Sequence, residues 1–92
     1  MTVEIGGIEF DKVDYDRDGD VLYVDIGDPN SAIDWDESPE GHGLRLGPND
    51  ELIGITIVNA RWLLEHDGKI VITLPDGRRL ETADLGPALA AA

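Results

Sequence analysis

The sequence predicts a mainly β domain, a β-rich α+β chain built on an antiparallel, curved, meander-like sheet with one short helix near residues 60–66. Three observations predict it. Runs such as VLYVDI (21–26) and IGITI (53–57) alternate side chains at period two and favour β-branched or aromatic residues. Each run is bounded by glycine, proline, asparagine or aspartate, the residues that reverse a chain. Only NARWLLEHDG (59–68) has helical character, with Asn59 to cap it, Leu63 and Leu64 as apolar surface and Gly68 to end it.

In chain order, TVEIGGIEF carries β-formers on both sides of Gly6-Gly7, the composition of a two-residue hairpin turn. A second reversal is expected within DYDRDGDVLYVD (14–25), with Asp16-Arg17-Asp18-Gly19 as a type I turn and Gly19 at positive φ. That register sets Tyr15 across from Val21 and Val13 across from Tyr23. Leu22, Val24 and Ile26 then share one face of the strand while Val21 and Tyr23 take the other, so both faces need cover. Residues 27–43, acid-rich and with two prolines, read as one long acidic surface loop in which Trp35 stands between Asp34 and Asp36. Leu44 and Leu46 alternate around Arg45, Gly47-Pro48-Asn49-Asp50 turns, and Ile53, Ile55 and Ile57 mark a half-buried strand. KIVITLPDGRRLET is a further hairpin, turned by Pro75-Asp76-Gly77. Residues 86–92 are expected as a frayed tail, at most one helical turn docked by Leu85 and Leu89.

Ninety-two residues make a single small domain with a marginal core, and oligomerisation is a common remedy. A homodimer burying Trp62, Leu63 or Tyr23 is therefore expected. The chain has no cysteine, so neither disulfides nor thiolate metal sites are available, and His42 and His66 stand apart from any ligand cluster. Twenty acids against seven basic residues leave a net charge of −13, which repels phosphate backbones and anionic membranes and attracts a basic protein partner. The same charge also simply disperses a protein. No apolar run approaches the roughly 20 residues of a membrane helix. MTVEIGG lacks the basic and apolar regions of a secretory signal, so a cytoplasmic location is expected.

The acids of DYDRDGDVLYVD admit a second reading. Asp14, Asp16 and Asp18 fall at positions one, three and five of a calcium-binding EF-hand loop, Gly19 at six, Asp20 at seven and Asp25 at twelve. Clustered carboxylates repel by ~1 kcal/mol per pair at about 4 Å in water, and a cation relieves that. The flanks oppose this reading. The motif needs a helix on each side, whereas IEFDKV and VLYVDIGDP are β-forming, and Asp25 is a methylene shorter than the usual glutamate. A turn is the preferred reading, with divalent-cation binding at residues 14–25 as the alternative.

The spacing of Tyr15-Asp16, Asp20-Val21-Leu22-Tyr23-Val24, Gly54-Ile55 with Ile57, and Asn59-Ala60 resembles the small bacterial family called domain of unknown function 2283, over about residues 10–60. The chain departs from that pattern at Thr56, where glutamate is usual, and at the turn Gly47–Asp50. The resemblance implies a compact antiparallel β domain that often self-associates. It implies no established reaction, catalytic residue or cofactor. Some members lie beside small toxin-like partners, which implies an antitoxin-like role by association.

Catalytic constellations are sparse. Ser31 and Ser38 lack an elbow motif, and no phosphate loop or dinucleotide fingerprint is present. His42, between two glycines, has Asp34, Asp36 and Glu37 within its segment, and a small enzyme using these groups is the remaining alternative. His66 suits a helix end, and Arg78 and Arg79 suit solvent or acid partners. The leading expectation is a non-catalytic protein-interaction or oligomerisation module, without cofactor, that binds neither nucleic acid nor membrane.

Overall fold

Gly6 and Gly7 both take positive φ, 58° and 87°, and reverse the chain from β1 (Val3–Ile5) into β2 (Ile8–Phe10). Two left-handed central residues suit the twist of a tight hairpin, which glycine supplies without steric cost. The computed structural model describes residues 1–90. Its central sheet joins β3 (Lys12–Asp16), β4 (Val21–Asp25), β5 (Asp34–Glu37), β6 (Gly43–Leu46) and β7 (Leu52–Val58) in the order β3-β4-β7-β6-β5, antiparallel throughout. A last hairpin pairs β8 (Ile70–Thr73) with β9 (Arg79–Thr82), and two short helices, α1 (Ala60–Asp67) and α2 (Gly86–Ala90), complete the fold. No helix is long and apolar enough to cross a membrane among the described residues.

Period-two alternation separates the two faces of the central sheet. Tyr15, Leu22 and Ile57 form one row across the inner face, and Val13, Val24, Ile55 and Leu44 the next. Ile5 and Phe10 from the first hairpin, Ile70, Ile72 and Leu80 from the last, and Leu85 and Leu89 around α2 close over these rows. Each such large side chain contributes roughly 1.5–3 kcal/mol when fully buried. The inner face thus takes its second layer from the chain's own hairpins.

The register of β3 against β4 differs from the expected one. Tyr15 faces Leu22 and Val13 faces Val24, one residue away from the pairings with Val21 and Tyr23. The left-handed residue of the turn is Asp20, at φ 54°, and not Gly19. A slip of one residue exchanges the faces of a strand, and here it moves Tyr15 from the face of Val21 and Tyr23 to the core face of Leu22. Asp16 holds the turn by accepting the amides of Asp18 and Gly19 at 3.2 and 3.3 Å.

Asp20 has a second consequence. Asn59 precedes α1 in a left-handed conformation, φ 58°, and its side chain makes no capping hydrogen bond. The cap comes from the distant turn. The Asp20 carbonyl accepts the Ala60 amide at 3.1 Å, and its carboxylate accepts the amides of Arg61 at 2.8 Å and Trp62 at 3.1 Å. The Tyr15 hydroxyl donates to the same carboxylate at 2.8 Å. Burial alone would raise the Asp20 pKa, but the hydrogen bonds from the Arg61 amide, Tyr15 and the Trp62 amide, with the Arg61 charge, hold it below the ordinary carboxylate value. Burial and the bond to Asp20 raise that of Tyr15. Gly68, at φ 74°, ends α1 as expected, its amide on the Leu64 carbonyl.

Residues 27–43 are not one loop. A single 3-10 turn at Pro29–Ser31 leads into β5, which pairs with β6 residue for residue from Asp34 opposite Leu46 to Glu37 opposite Gly43. Acids weaken local β propensity, so the strand is imposed by its partner. In the expected tail, α2 docks through buried Ala88 and Leu89, and residues 91 and 92 lie outside the described residues.

Asp20→Ala is expected to lower stability by about 2 kcal/mol, the upper end for a lost cap, because the Tyr15 hydroxyl also loses its acceptor. Urea denaturation measures the loss, and hydrogen exchange should quicken first at the Arg61 and Trp62 amides.

Candidate functional site

The outer face of the central sheet carries three rows of side chains. The first runs Lys12, Asp25, Gly54, Arg45, Trp35; the second Asp14, Tyr23, Thr56, Gly43, Glu37; the third Asp16, Val21, Val58. Gly54 leaves a gap between Asp25 and Arg45, and the two side chains meet over it. A Cβ there would run into the Asp25 carboxylate and lie 2.7 Å from Arg45 Nη2 and 2.8 Å from the Val24 carbonyl oxygen. Arg45 donates from Nε and Nη2 to Asp25 Oδ1 at 3.0 and 2.7 Å, and from Nη1 to Thr56 Oγ1 at 2.6 Å.

The Arg45 and Asp25 side chains are only 16% and 12% exposed, so the pair is largely desolvated on a face the chain leaves open. Around it Tyr23 is 37% exposed and Trp35 67%. A shallow depression of about 520 Å³ lies here, lined by Lys12, Val13, Asp14, Tyr23, Asp25 and Arg45. Tyrosine, tryptophan and arginine are the residue types enriched at protein–protein interfaces. With Arg45 engaged by Asp25 and Thr56, the arrangement offers a rigid, hydrogen-bonded plate with aromatic shoulders.

His42, within the segment expected as an acidic surface loop, is only 2% exposed. Its Nδ1 accepts the Val58 amide at 3.1 Å, which places the proton of the neutral ring on Nε2. Its own amide donates to Ser38 Oγ at 3.0 Å, and its carbonyl accepts the Ser38 amide at 2.8 Å. Burial lowers the imidazole pKa, against the opposing pull of the Glu40 charge. Asp34 and Asp36 line a different cavity, with Leu46, Leu52 and Leu74. The acid brought to His42 is Glu40, which grips Thr73 through the Thr73 amide at 2.8 Å and hydroxyl at 2.6 Å. The Ser38 hydroxyl meets the His42 backbone, and His42 Nδ1 meets a backbone amide, so the two side chains do not pair as nucleophile and base.

The acids at the start of the chain are dispersed. Strands, not helices, flank their turn. Asp14 and Asp16 stand on β3, with Asp16 bonded to the turn amides; Asp18 is exposed in the turn, Asp20 caps α1 and Asp25 holds Arg45. Among the described residues no three histidines or acids are grouped to hold a metal ion. Ser31 Oγ donates to the Asp28 carbonyl at 2.6 Å. His66 stacks on Trp62 at 4.1 Å, with Nδ1 2.8 Å from the Trp62 carbonyl oxygen, near the end of α1. Arg78 pairs with Asp76 at 2.8 Å, and Arg79 with Glu81 at 3.8 Å.

Sequence reasoning missed the Arg45–Asp25–Thr56 cluster. Its one local signal is Gly54, a glycine inside a strand pattern, which marks a close approach of neighbouring groups.

The model of a family described as protein of unknown function (DUF2283) matches residues 12–61, from the first residue of β3 into the first turn of α1. That span contains the whole central sheet and, of the Asp20 cap, Asp20 itself with the Ala60 and Arg61 amides, but not Trp62. No curated protein and no solved structure matches the chain.

Two substitutions test this geometry. Gly54→Ala should cost about 1–3 kcal/mol in urea unfolding, because the new methyl meets backbone as well as the ion pair. The second concerns pH. An unfolded imidazole takes a proton near pH ~6.5 while the buried one stays neutral, so the unfolded state binds more protons on the acid side. The His42 contribution is full above that pH and is lost as pH falls through the depressed native value. His42→Asn keeps an acceptor for the Val58 amide without titrating, and should flatten the fall of the urea midpoint between neutral and mildly acid pH.

Proposed function

We propose a function for a chain that belongs to the DUF2283 family of proteins of unknown function: it is a non-catalytic protein-interaction module that self-associates through the outer face of its central sheet. The observation that carries this reading is the asymmetry of cover. The inner face is closed by the chain's own hairpins and α2, while the outer face holds a desolvated ion pair beside exposed Tyr23 and Trp35. A second copy would complete the exclusion of water from Arg45 and Asp25, where their attraction is strongest.

Charge favours a copy of the same chain at this face. The chain is strongly acidic, but Lys12 and Arg45 balance Asp14 and Asp25 across the centre of the plate. Asp16 and Glu37, at the margins of the same face, leave it acidic at its edges, so a second copy would meet this face at its balanced centre. Of the residues expected at a dimer contact, Tyr23 lies on this face. Trp62 and Leu63 lie on α1, Leu63 half-buried against the core.

Sedimentation velocity at micromolar concentration is expected to give a dimer. Tyr23→Glu should give a monomer with an unchanged circular dichroism spectrum. A wild-type chain that sediments as a monomer at that concentration would sink the reading.

A further inference from the structure

β5 ends the central sheet, and all four of its residues, Asp34 to Glu37, are exposed. Its backbone shows how the edge is kept. The Trp35 amide donates to Asp34 Oδ1, and the Glu37 amide to Asp36 Oδ1, each at 2.8 Å. These alternate amides bond side chains, so they point away from β6 and are the two donors a further strand would use. Each is held by the carboxylate just before it, in the way edge strands are guarded against unwanted pairing.

The guard is selective in chemistry. Asp34 and Asp36 share one face of the strand and line a cavity of about 500 Å³, where Leu46, Leu52 and Leu74 supply apolar surface and Asp50 a further acid. The other acid there, Asp76, already pairs with Arg78. Such a cavity suits the long side chain of lysine or arginine, with its methylene stem on the leucines and its charge among the carboxylates. A second copy of β5 would instead bring like charges together.

From the open ladder edge, the spaced acids and the lined cavity, we propose that β5 accepts an extended, basic segment of a partner protein as a sixth, antiparallel strand. This rests on the chain being a protein-interaction module, but not on its self-association. The partner's carbonyls take the Trp35 and Glu37 amides. Basic residues at every second position, about 6.6 Å apart, meet the released carboxylates of Asp34 and Asp36. Trp35 and Glu37 face the intervening side chains.

The probe is a six-residue peptide of alternating lysine and valine, capped at both ends. Its control is the same peptide N-methylated at the valine amides, which in this register face β5. The charge is unchanged, but the strand cannot pair. Titration calorimetry at low salt should show the plain peptide binding and the methylated one roughly tenfold or more weaker, the effect of losing two or more hydrogen bonds. The Trp35 and Glu37 amides should gain protection from hydrogen exchange only with the plain peptide. Asp34→Asn with Asp36→Asn should weaken binding and flatten its salt dependence. Equal binding of the two peptides, no binding, or unprotected Trp35 and Glu37 amides would overturn the proposal. Sedimentation of the protein alone separates the two readings. A monomer that binds the plain peptide selectively removes self-association and keeps the edge; a dimer indifferent to the peptide does the reverse.

Discussion

One residue, Asp20, decides how the halves of this molecule face each other. It sits in the left-handed region, a conformation that costs a side-chain-bearing residue of order 1 kcal/mol and that aspartate tolerates better than most. Four donors compensate: three amides at the start of α1 and the Tyr15 hydroxyl. Three of these reach the carboxylate, the Arg61 and Trp62 amides and the Tyr15 hydroxyl, while the Ala60 amide takes the backbone carbonyl; together they outweigh a strain of that size. The turn between β3 and β4 and the first turn of α1 thereby become a single unit, although 41 positions separate Asp20 from Arg61.

From that unit the two faces follow. With Asp20, not Gly19, left-handed, Tyr15 falls opposite Leu22 and turns inward, where its hydroxyl reaches the carboxylate that caps the helix. The same parity sends Tyr23, Asp25 and Lys12 outward. Opposite Asp25 on β7 stands Gly54, and beyond it Arg45 on β6, so the ion pair closes across the one position in its row without a side chain. Removing one member of such a desolvated pair strands the other charge and typically costs 3–5 kcal/mol. The register of one hairpin thus determines both what the core contains and what the open face presents.

Much of the fold was legible because its signals are local. Gly6-Gly7, the Pro75–Gly77 turn and Gly68 act where they stand, and the alternation of Leu22, Val24, Ile55, Ile57, Ile70 and Ile72 assigns the buried face. The candidate site was hardly legible, because each of its contacts joins distant residues. Asn59 looked like the cap of α1 since a cap is sought next to its helix; the actual acceptor is supplied by another element. Gly19 looked like the left-handed residue since glycine adopts that region most easily, yet the hydrogen bonds at Asp20 outweigh that preference. β5 was read as loop because its composition opposes a strand and only β6 makes it one. His42 stands between two glycines in a segment that reads as a surface loop, and the acceptor needed by the Val58 amide is invisible until β7 lies beside it.

The segment that follows β5 bears on what its edge can do. The Ser38 amide bonds the His42 carbonyl, His42 is buried with its ring on β7, and Glu40 reaches across to Thr73 on β8. Burial opposes the Glu40 charge, but the hydrogen bonds from the Thr73 hydroxyl and amide, the Glu40 amide and Ser38 together hold the carboxyl below its usual value, so this tie is charged near neutral pH. At the other end, the Ile33 amide is bonded to the Leu46 carbonyl. β5 is therefore pinned at both ends, by a ladder bond before it and by a buried imidazole and a charged latch after it. An edge held in this way has already lost the conformational entropy that a flexible loop would lose on meeting a partner. Its acids and outward amides keep a fixed spacing, and a partner strand of the proposed kind would have to match that spacing as well as the charge.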